Sequence, residues 1–114
     1  MTLDQFLEQL KSDPTTISFD DTQAVIDQEY VFTPTQFENG AADNAAGENS
    51  GSCKLFAFAV LQNLSEDETL ACFGDFYQKD VLGNPDGEDH QNIRQFMAEG
   101  WAGISFEEEP LKKK

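Results

Sequence analysis

The most apolar stretch of the chain lies near its middle and directly follows a small, polar, glycine-rich segment. Residues 44–54 are rich in Asn, Gly and Ser, whereas Leu55–Leu61 carry no polar side chain. The length of the segment Ser52–Asn63 and its good helix formers favour a central helix. A helix that is apolar on all sides is usually buried on most of them. A buried strand is the alternative, because Phe56, Phe58 and Val60 alternate with smaller or similar residues.

Amphipathic segments on both sides of this stretch predict four more helices. Apolar residues recur in them at helical spacing, and each begins at a residue whose side chain can cap the first backbone N–H groups. The predicted helices are Thr2–Ser12, Ser18–Glu29, Ser65–Lys79 and Asp89–Glu99. Ser65 and Glu68 have the spacing of a capping box, and Ser50 or Ser52 is expected to cap the central helix.

Three short segments have the composition of strands, with aromatic and β-branched residues. They are Tyr30–Thr33, Gln36–Asn39 and Trp101–Phe106. We predict that they form a small antiparallel sheet, and Asn39-Gly40 is a turn signal at the end of the second strand. The predicted fold class is therefore α+β, in which four to five short helices surround the central apolar helix and pack with a three-stranded sheet.

The remaining segments are predicted to be irregular. Ala41–Gly51 has the small and polar residues of a loop, and a loop of this length is often functional. Residues 107–114 are strongly charged and are expected to fray. With 114 residues the chain fits a single domain, residues 1–114, with one core rich in its ten phenylalanines.

Charge excludes some classes of partner. The chain has 22 acidic and 7 basic residues, which gives a formal net charge of -15. Because binding to nucleic acid depends on neutralising phosphates, a nucleic-acid-binding protein is excluded, and an anionic membrane surface is disfavoured for the same reason. The acidity favours solubility and a basic partner.

The two cysteines and the apolar segments point to folding in a reducing compartment. Cys53 and Cys72 both lie among apolar neighbours, so we expect two buried thiols rather than a disulfide framework. The longest apolar run, Leu55–Leu61, is too short to cross a membrane, and the chain shows no signal peptide. We therefore expect it to be synthesised and to fold in the cytosol.

A candidate ligand site combines the loop Gly47–Lys54 with the helix start His90–Arg94. Backbone N–H groups at a helix start attract anions, and Lys54 follows the glycine-rich loop, although the phosphate-loop pattern is not met. The alternative is an ordinary helix start with Lys54 paired to a carboxylate. The candidate ligand-binding residues are Glu48, Asn49, Ser52, Lys54, His90 and Arg94.

No catalytic or metal-binding constellation emerges from the motifs. His90, the only histidine, could act as a general base when neutral, but nothing in the sequence brings a nucleophile such as Cys53 to it. No pair of Cys or His has the spacing of a zinc site. The turn-rich segment Asp80–Asp89 lacks two ligand positions of a calcium loop. We therefore assign no catalytic residue, no metal and no cofactor.

Several longer motifs resemble the HopJ type III effector family. They include Thr-Gln-Phe-x-Asn-Gly from Thr35, Asn-x-x-Gly-x-Asn-x-Gly-Ser-Cys-Lys from Asn44, and Leu-Ser-x-x-Glu-Thr-Leu from Leu64, with Phe73-Gly74 after it. The others lie in residues 80–97, with Asp-His-x-Asn-Ile-Arg-x-Phe-Met, and in residues 100–106, with Gly-Trp-x-Gly-Ile-x-Phe. The resemblance spans about residues 3 to 106.

The family takes its name from type III effectors of plant-pathogenic bacteria, and similar proteins occur in other bacteria. The resemblance therefore implies secretion into host cells but assigns no catalytic residue or ligand. Our first hypothesis is a non-enzymatic protein-binding module with a host or bacterial protein as partner. The alternative is a small-ligand-binding or enzymatic protein of the bacterial cytoplasm, with its site between the Gly47–Lys54 loop and the His90–Arg94 helix start.

Overall fold

The apolar run of the sequence forms the central helix α3, Ser50–Leu61, as predicted. The alternative prediction of a buried strand for this segment is wrong. In the computed structural model, which describes residues Met1–Lys114, the side chains of α3 from Leu55 to Ala59 are all buried. The other α-helices are α1 Leu3–Ser12, α2 Phe19–Glu29, α4 Glu66–Ala71 and α5 Gln91–Glu99. With the small antiparallel sheets described below, they confirm the α+β class.

Three of the five helices begin with the capping residues that the sequence predicts. Thr2, Ser18 and Ser65 each accept a hydrogen bond from the backbone N–H three residues later, and the side chain of that residue binds back. The Ser65 backbone N–H donates to the Glu68 carboxylate at 2.9 Å. This bond lowers the pKa of Glu68, because a hydrogen bond to the charged form favours it.

The predicted helix Ser65–Lys79 is wrong, because it breaks at Gly74. That residue has φ +61°, and α4 ends at Ala71. A separate π-helical segment, Phe76–Val81, follows. The break lets the chain pass against the start of α2, where a Cβ at Gly74 would lie 2.8 Å from the backbone nitrogen of Phe19.

The structure contains two small antiparallel sheets rather than one. The strands are β1 Tyr30–Phe32, β2 Phe37–Asn39, β3 Ala42–Asn44, β4 Ile104–Phe106 and β5 Leu111–Lys113. One sheet has the order β3-β2-β4, and β1 pairs only with β5. A three-stranded sheet is therefore present, but its predicted membership is wrong, because Tyr30–Thr33 does not join it.

The two strands that the sequence did not predict have physical explanations. Gly40, at φ +58°, reverses the chain after Asn39, so the start of the predicted loop Ala41–Gly51 returns as β3. The prediction that residues 107–114 fray is also wrong. Leu111 is 1% exposed and pairs with Phe32, so one buried side chain anchors the charged terminus.

The core is aromatic, as the phenylalanine count predicts. Five phenylalanines are fully buried, and the ring of Phe56 on α3 contacts those of Phe73 and Phe96. Trp101 packs on Phe96 from a short 3₁₀ turn, Gly100–Gly103, rather than from the predicted strand Trp101–Phe106. No helix in the structure combines the length and the apolar character needed to span a bilayer.

Both cysteines are buried and free, as predicted. Burial raises the pKa of Cys53 to about 11 and that of Cys72 to about 12. We therefore expect neither thiol to react with a disulfide reagent at about pH 8 in the folded protein, and both to react in denaturant. Fast modification of either thiol without denaturant would contradict this burial.

The same pKa shifts make folding stability depend on pH. A free thiol titrates near pH 8.5, and the folded protein holds both thiols neutral to higher pH. Their contribution to stability is therefore fully present below about pH 8.5 and is lost as the pH rises toward the folded pKa values. Unfolding midpoints measured between about pH 7 and 10 should fall at the alkaline end.

Candidate functional site

Two helix starts meet at the edge strand β3 of the three-stranded sheet, where Asn49 and Asn92 both bind Asn44. Helix α3 begins after Asn49 and helix α5 begins after His90, and both preceding residues have φ +50° in the left-handed region. Neither helix has a side-chain cap, so the first backbone N–H groups of each lack the usual partner. The predicted caps Ser50, Ser52 and Asp89 are therefore wrong.

The reason lies in other bonds made by these side chains. The Ser50 hydroxyl donates backwards to the carbonyl of Gly47 at 3.3 Å, and Asp89 binds the guanidinium of Arg94 at 2.6 Å. Ser50 and Ser52 lie within α3, so the cap position before α3 belongs to Asn49 and that before α5 to His90, both in the left-handed conformation. Asn and His are among the residues that tolerate this conformation.

A cleft of about 620 Å³ lies between the two helix starts. This volume is within the range of small-ligand sites. Its lining comes from α2, β3, the starts of α3 and α5, and the segment around Gly74. The lining residues are Phe19, Ala42, Asp43, Asn44, Asn49, Gly51, Ser52, Phe73, Phe76, His90, Gln91, Asn92 and Ile93.

A network of four asparagine side chains lies under the cleft, and three of them, Asn44, Asn49 and Asn92, form its floor. Asn44 Oδ1 accepts from Asn49 Nδ2 at 2.6 Å and from Asn92 Nδ2 at 3.1 Å. Asn44 Nδ2 and Asn39 Nδ2 each donate to Asn92 Oδ1 at 3.1 Å. Since Asn39, Asn44 and Asn92 are all buried, the network fixes β2, β3 and α5 to one another and holds Asn49 at the start of α3.

One wall of the cleft is aromatic. The ring of Phe19 lies 5.3 Å from that of Phe76 and 6.2 Å from that of Phe73, measured between centroids. The His90 imidazole lies 5.3 Å from the Phe76 ring. Phe76 is 40% exposed, so an apolar surface is available beside the polar floor.

The charged groups beside the cleft are mostly paired with each other. His90 Nε2 lies 3.1 Å from Asp80 Oδ2. Arg94 donates to the carbonyls of Asp89 and Pro85 and to the Asp89 carboxylate, which holds the turn before α5 in place. The Arg94 guanidinium keeps the pKa of Asp89 below its usual value. Asp43 supplies the only carboxylate of the lining, and no Lys or Arg lines the cleft.

The structure brings together three of the six predicted ligand-binding residues. Asn49, Ser52 and His90 line the cleft, whereas Glu48, Lys54 and Arg94 do not. That these six residues bind a ligand stays a prediction.

The other three residues make structural contacts outside the lining. Glu48 accepts from the backbone N–H of Ala45. Lys54 pairs with Asp27 at 2.9 Å and lies 5.1 Å from the centre of the Phe32 ring. This is the ordinary ion pair that the sequence offered as the alternative to an anion site. Arg94 is engaged with the turn before α5.

Sequence reasoning missed the asparagine floor and the aromatic wall. A signal for the floor was present, because Asn39, Asn44 and Asn49 recur at intervals of five residues before the central helix. Phe19, Phe73 and Phe76 gave no separate signal, because core phenylalanines and cleft phenylalanines share the same helical spacing.

The chemistry of the lining favours binding over catalysis by a side-chain nucleophile. Ser52 is the only hydroxyl of the lining, and Cys53 next to it is 1% exposed and does not line the cleft. No three His, Cys, Asp or Glu side chains are grouped so that they could hold a metal ion. The lining offers amides, one carboxylate, one imidazole, one hydroxyl and phenyl rings, which suit a small molecule with a polar and an apolar part.

The chain belongs to the HopJ family. The family model described as HopJ type III effector protein matches residues 3–111, so the resemblance of the motifs is confirmed. Among solved structures, the chain is similar to one described as the crystal structure of unknown function protein VPA0580. The two are 54% identical with a TM-score of 0.98, and the match covers 100% of this chain and 95% of that one. The chain has no match among curated proteins.

Proposed function

We propose that this HopJ protein binds a small molecule in the cleft between the starts of α3 and α5. The observation that carries the proposal is the convergence of two uncapped helix starts, a buried asparagine floor and an aromatic wall on one cavity of about 620 Å³. An exposed phenyl ring that faces only water loses burial, and a helix start without a side-chain cap leaves backbone N–H groups free to bind a ligand.

The ligand class follows from the lining. Free backbone N–H groups of the two helix starts donate hydrogen bonds, and the partly exposed Phe76 ring accepts an apolar or planar group. Because no Lys or Arg lines the cleft and Asp43 does, a multiply charged phosphate is disfavoured. We therefore infer a neutral or singly charged small molecule that combines hydrogen-bond acceptors with an apolar or aromatic part.

A thermal-shift screen of such metabolites tests the proposal. A ligand at a hundredfold its dissociation constant adds about 2.7 kcal/mol to the free energy of unfolding, which raises Tm on the order of 10 °C in a domain of this size. We expect His90→Asn and Phe76→Ala to remove at least about half of the rise. Asparagine suits His90 because it tolerates the left-handed conformation.

The matched control is Lys79→Ala. Lys79 is exposed, pairs only with Asp75 and lies outside the lining, so its variant should retain the full rise in Tm. A screen in which no compound raises Tm would contradict the proposal. So would a compound whose effect is the same in the wild-type protein and in both cleft variants.

A second candidate function is protein binding without catalysis, as the sequence led us to expect. Seven large apolar side chains are exposed, among them Val60, Leu61, Leu82 and Met97. Apolar side chains that group on the surface mark interaction sites. The partner would be a host or bacterial protein, and the net charge of -15 favours a basic one.

We further propose that the chain folds in the bacterial cytoplasm and is exported by type III secretion. The family description supports this proposal. A reporter fused to the chain should reach host cells from a secretion-competent strain and not from a strain that lacks the apparatus. Equal signal from both strains, or none, would contradict export.

A further inference from the structure

The central helix α3 leaves the core at its last turn. All of its side chains from Leu55 to Ala59 are buried, yet Val60 is 53% exposed and Leu61 is 49% exposed. The fold thus covers an apolar helix everywhere except at this end. Two adjacent large aliphatic side chains that are half exposed lose much of the burial free energy available to them.

A groove of about 410 Å³ begins at these two side chains. It runs between the end of α3 and the segment that joins β4 to β5. The lining residues are Ala57, Val60, Leu61, Phe106, Glu107, Glu108, Glu109, Pro110 and Leu111. The floor is therefore apolar, and three consecutive carboxylates form one rim.

The acidic rim is held in place by backbone hydrogen bonds. The N–H of Glu107 donates to the carbonyl of Gln36 at 3.0 Å, and the N–H of Glu108 donates to the buried Thr35 hydroxyl at 3.1 Å. The carbonyl of Pro110 accepts from the N–H of Thr33 at 2.8 Å. The backbone of the segment is thus attached to the chain between β1 and β2 and needs no ordering before a partner binds.

The rim charges are not neutralised within the protein. None of the six ion pairs of the structure involves Glu107, Glu108 or Glu109. Residues Lys112–Lys114 follow close in sequence, but none of them lines the groove. An apolar floor beside three free carboxylates is complementary to a helix with an apolar face and a basic flank.

We propose that this groove binds a cationic amphipathic helix of a partner protein. Its apolar side chains, at helical spacing, would pack on the exposed side chains of Val60 and Leu61, and its Lys or Arg side chains would reach Glu107–Glu109. A second copy of this chain is a poor occupant, because two molecules of charge -15 repel each other. The proposal gives the protein-binding candidate a location and a partner class, and it is independent of the ligand cleft.

The probe is a fluorescent peptide of about 18 residues with Leu at helical spacing and Lys elsewhere, compared with a scrambled peptide of the same composition. Fluorescence anisotropy at about 0.1 M salt measures its affinity. We expect Leu61→Asp to weaken binding at least about tenfold without a large change in Tm, because Leu61 is half exposed. The scrambled peptide should bind at least about tenfold more weakly than the amphipathic one.

A pair of charge variants separates the groove from general attraction to an acidic protein. Glu107→Gln, Glu108→Gln and Glu109→Gln together remove three rim charges. Glu8→Gln, Asp86→Asn and Glu88→Gln together remove three exposed charges outside the groove. We expect the rim variant to weaken peptide binding at least about tenfold and the control variant less than about threefold.

Amide chemical shifts then locate the bound peptide. Shifts confined to Ala57–Leu61 and Phe106–Leu111 are the expected result. Equal losses of peptide affinity in the two charge variants, or equal affinity for the amphipathic and the scrambled peptide, would overturn the groove proposal. Tighter binding of the amphipathic peptide with shifts on another face would overturn the groove as its location but would still support protein binding. Shifts at residues of the ligand cleft would contradict the statement that the groove and the cleft are independent.

Discussion

Replacing Phe56 by alanine is expected to lower the free energy of unfolding by about 3–5 kcal/mol. Phe56 is fully buried in α3, and its ring centroid lies 5.1 Å from that of Phe96, 5.5 Å from that of Phe73 and 6.4 Å from that of Phe37. Truncation removes the apolar burial of the side chain and leaves a cavity among rings held by three different elements, which cannot all collapse inward. Urea unfolding followed by fluorescence measures the loss.

Leu82→Ala is the matched control for this prediction. Leu82 is also a large apolar residue, but it is 46% exposed, so its truncation should cost less than about 1 kcal/mol. Equal losses in the two variants would contradict the assignment of α3 as the centre of the core.

Gly74→Ala is expected to destabilise the protein by about 2–5 kcal/mol. The residue has φ +61°, which costs a non-glycine residue about 1–2 kcal/mol. The added Cβ would also lie 2.8 Å from the nitrogen of Phe19, 3.0 Å from Cα of Ser18 and 3.1 Å from the oxygen of Ile17. These contacts are backbone atoms, so relief requires α2 to move, and crowding of this kind adds about 1–3 kcal/mol.

Gly47→Ala separates the two causes. Gly47 has φ +89°, but a Cβ there would meet no atom within 4 Å. Its substitution therefore carries the conformational cost without the steric one and should be the milder of the two by at least about 1 kcal/mol. If thermal unfolding shows that the Gly74 and Gly47 variants lose the same stability, Gly74 is not packed against the start of α2.

Local chemistry made most of the helices predictable. Thr2, Ser18 and Ser65 are followed three residues later by a side chain that completes a capping box, and such reciprocal bonds need no tertiary context. The apolar run predicted α3 for a similar reason. The predicted capping residues of α3 and α5 were wrong, because both helices begin after a left-handed residue, Asn49 or His90. The asparagine network and the turn before α5 set the conformation of these two residues.

The strands were predicted less well because they are three residues long and because two of the three strand pairings join segments that lie far apart in sequence. Leu111 pairs with Phe32 and Ile104 with Asn39, and neither pairing has a local signal. The same limit applies to the cleft. Polar residues of its lining, such as Asn49, Ser52 and His90, could be predicted from the sequence. The presence of Phe19 and Phe76 in the lining depends on the helix break at Gly74.

The binding of a small molecule in the cleft is tested most directly by amide chemical shifts during titration with a compound that raises Tm. We predict that the affected amides are those at the two helix starts, Gly51, Ser52, Gln91 and Asn92, together with the side-chain amides of Asn44 and Asn49. Shifts that spare both helix starts and cluster around Val60 or Glu107–Leu111 would contradict the assignment of the cleft as the ligand site.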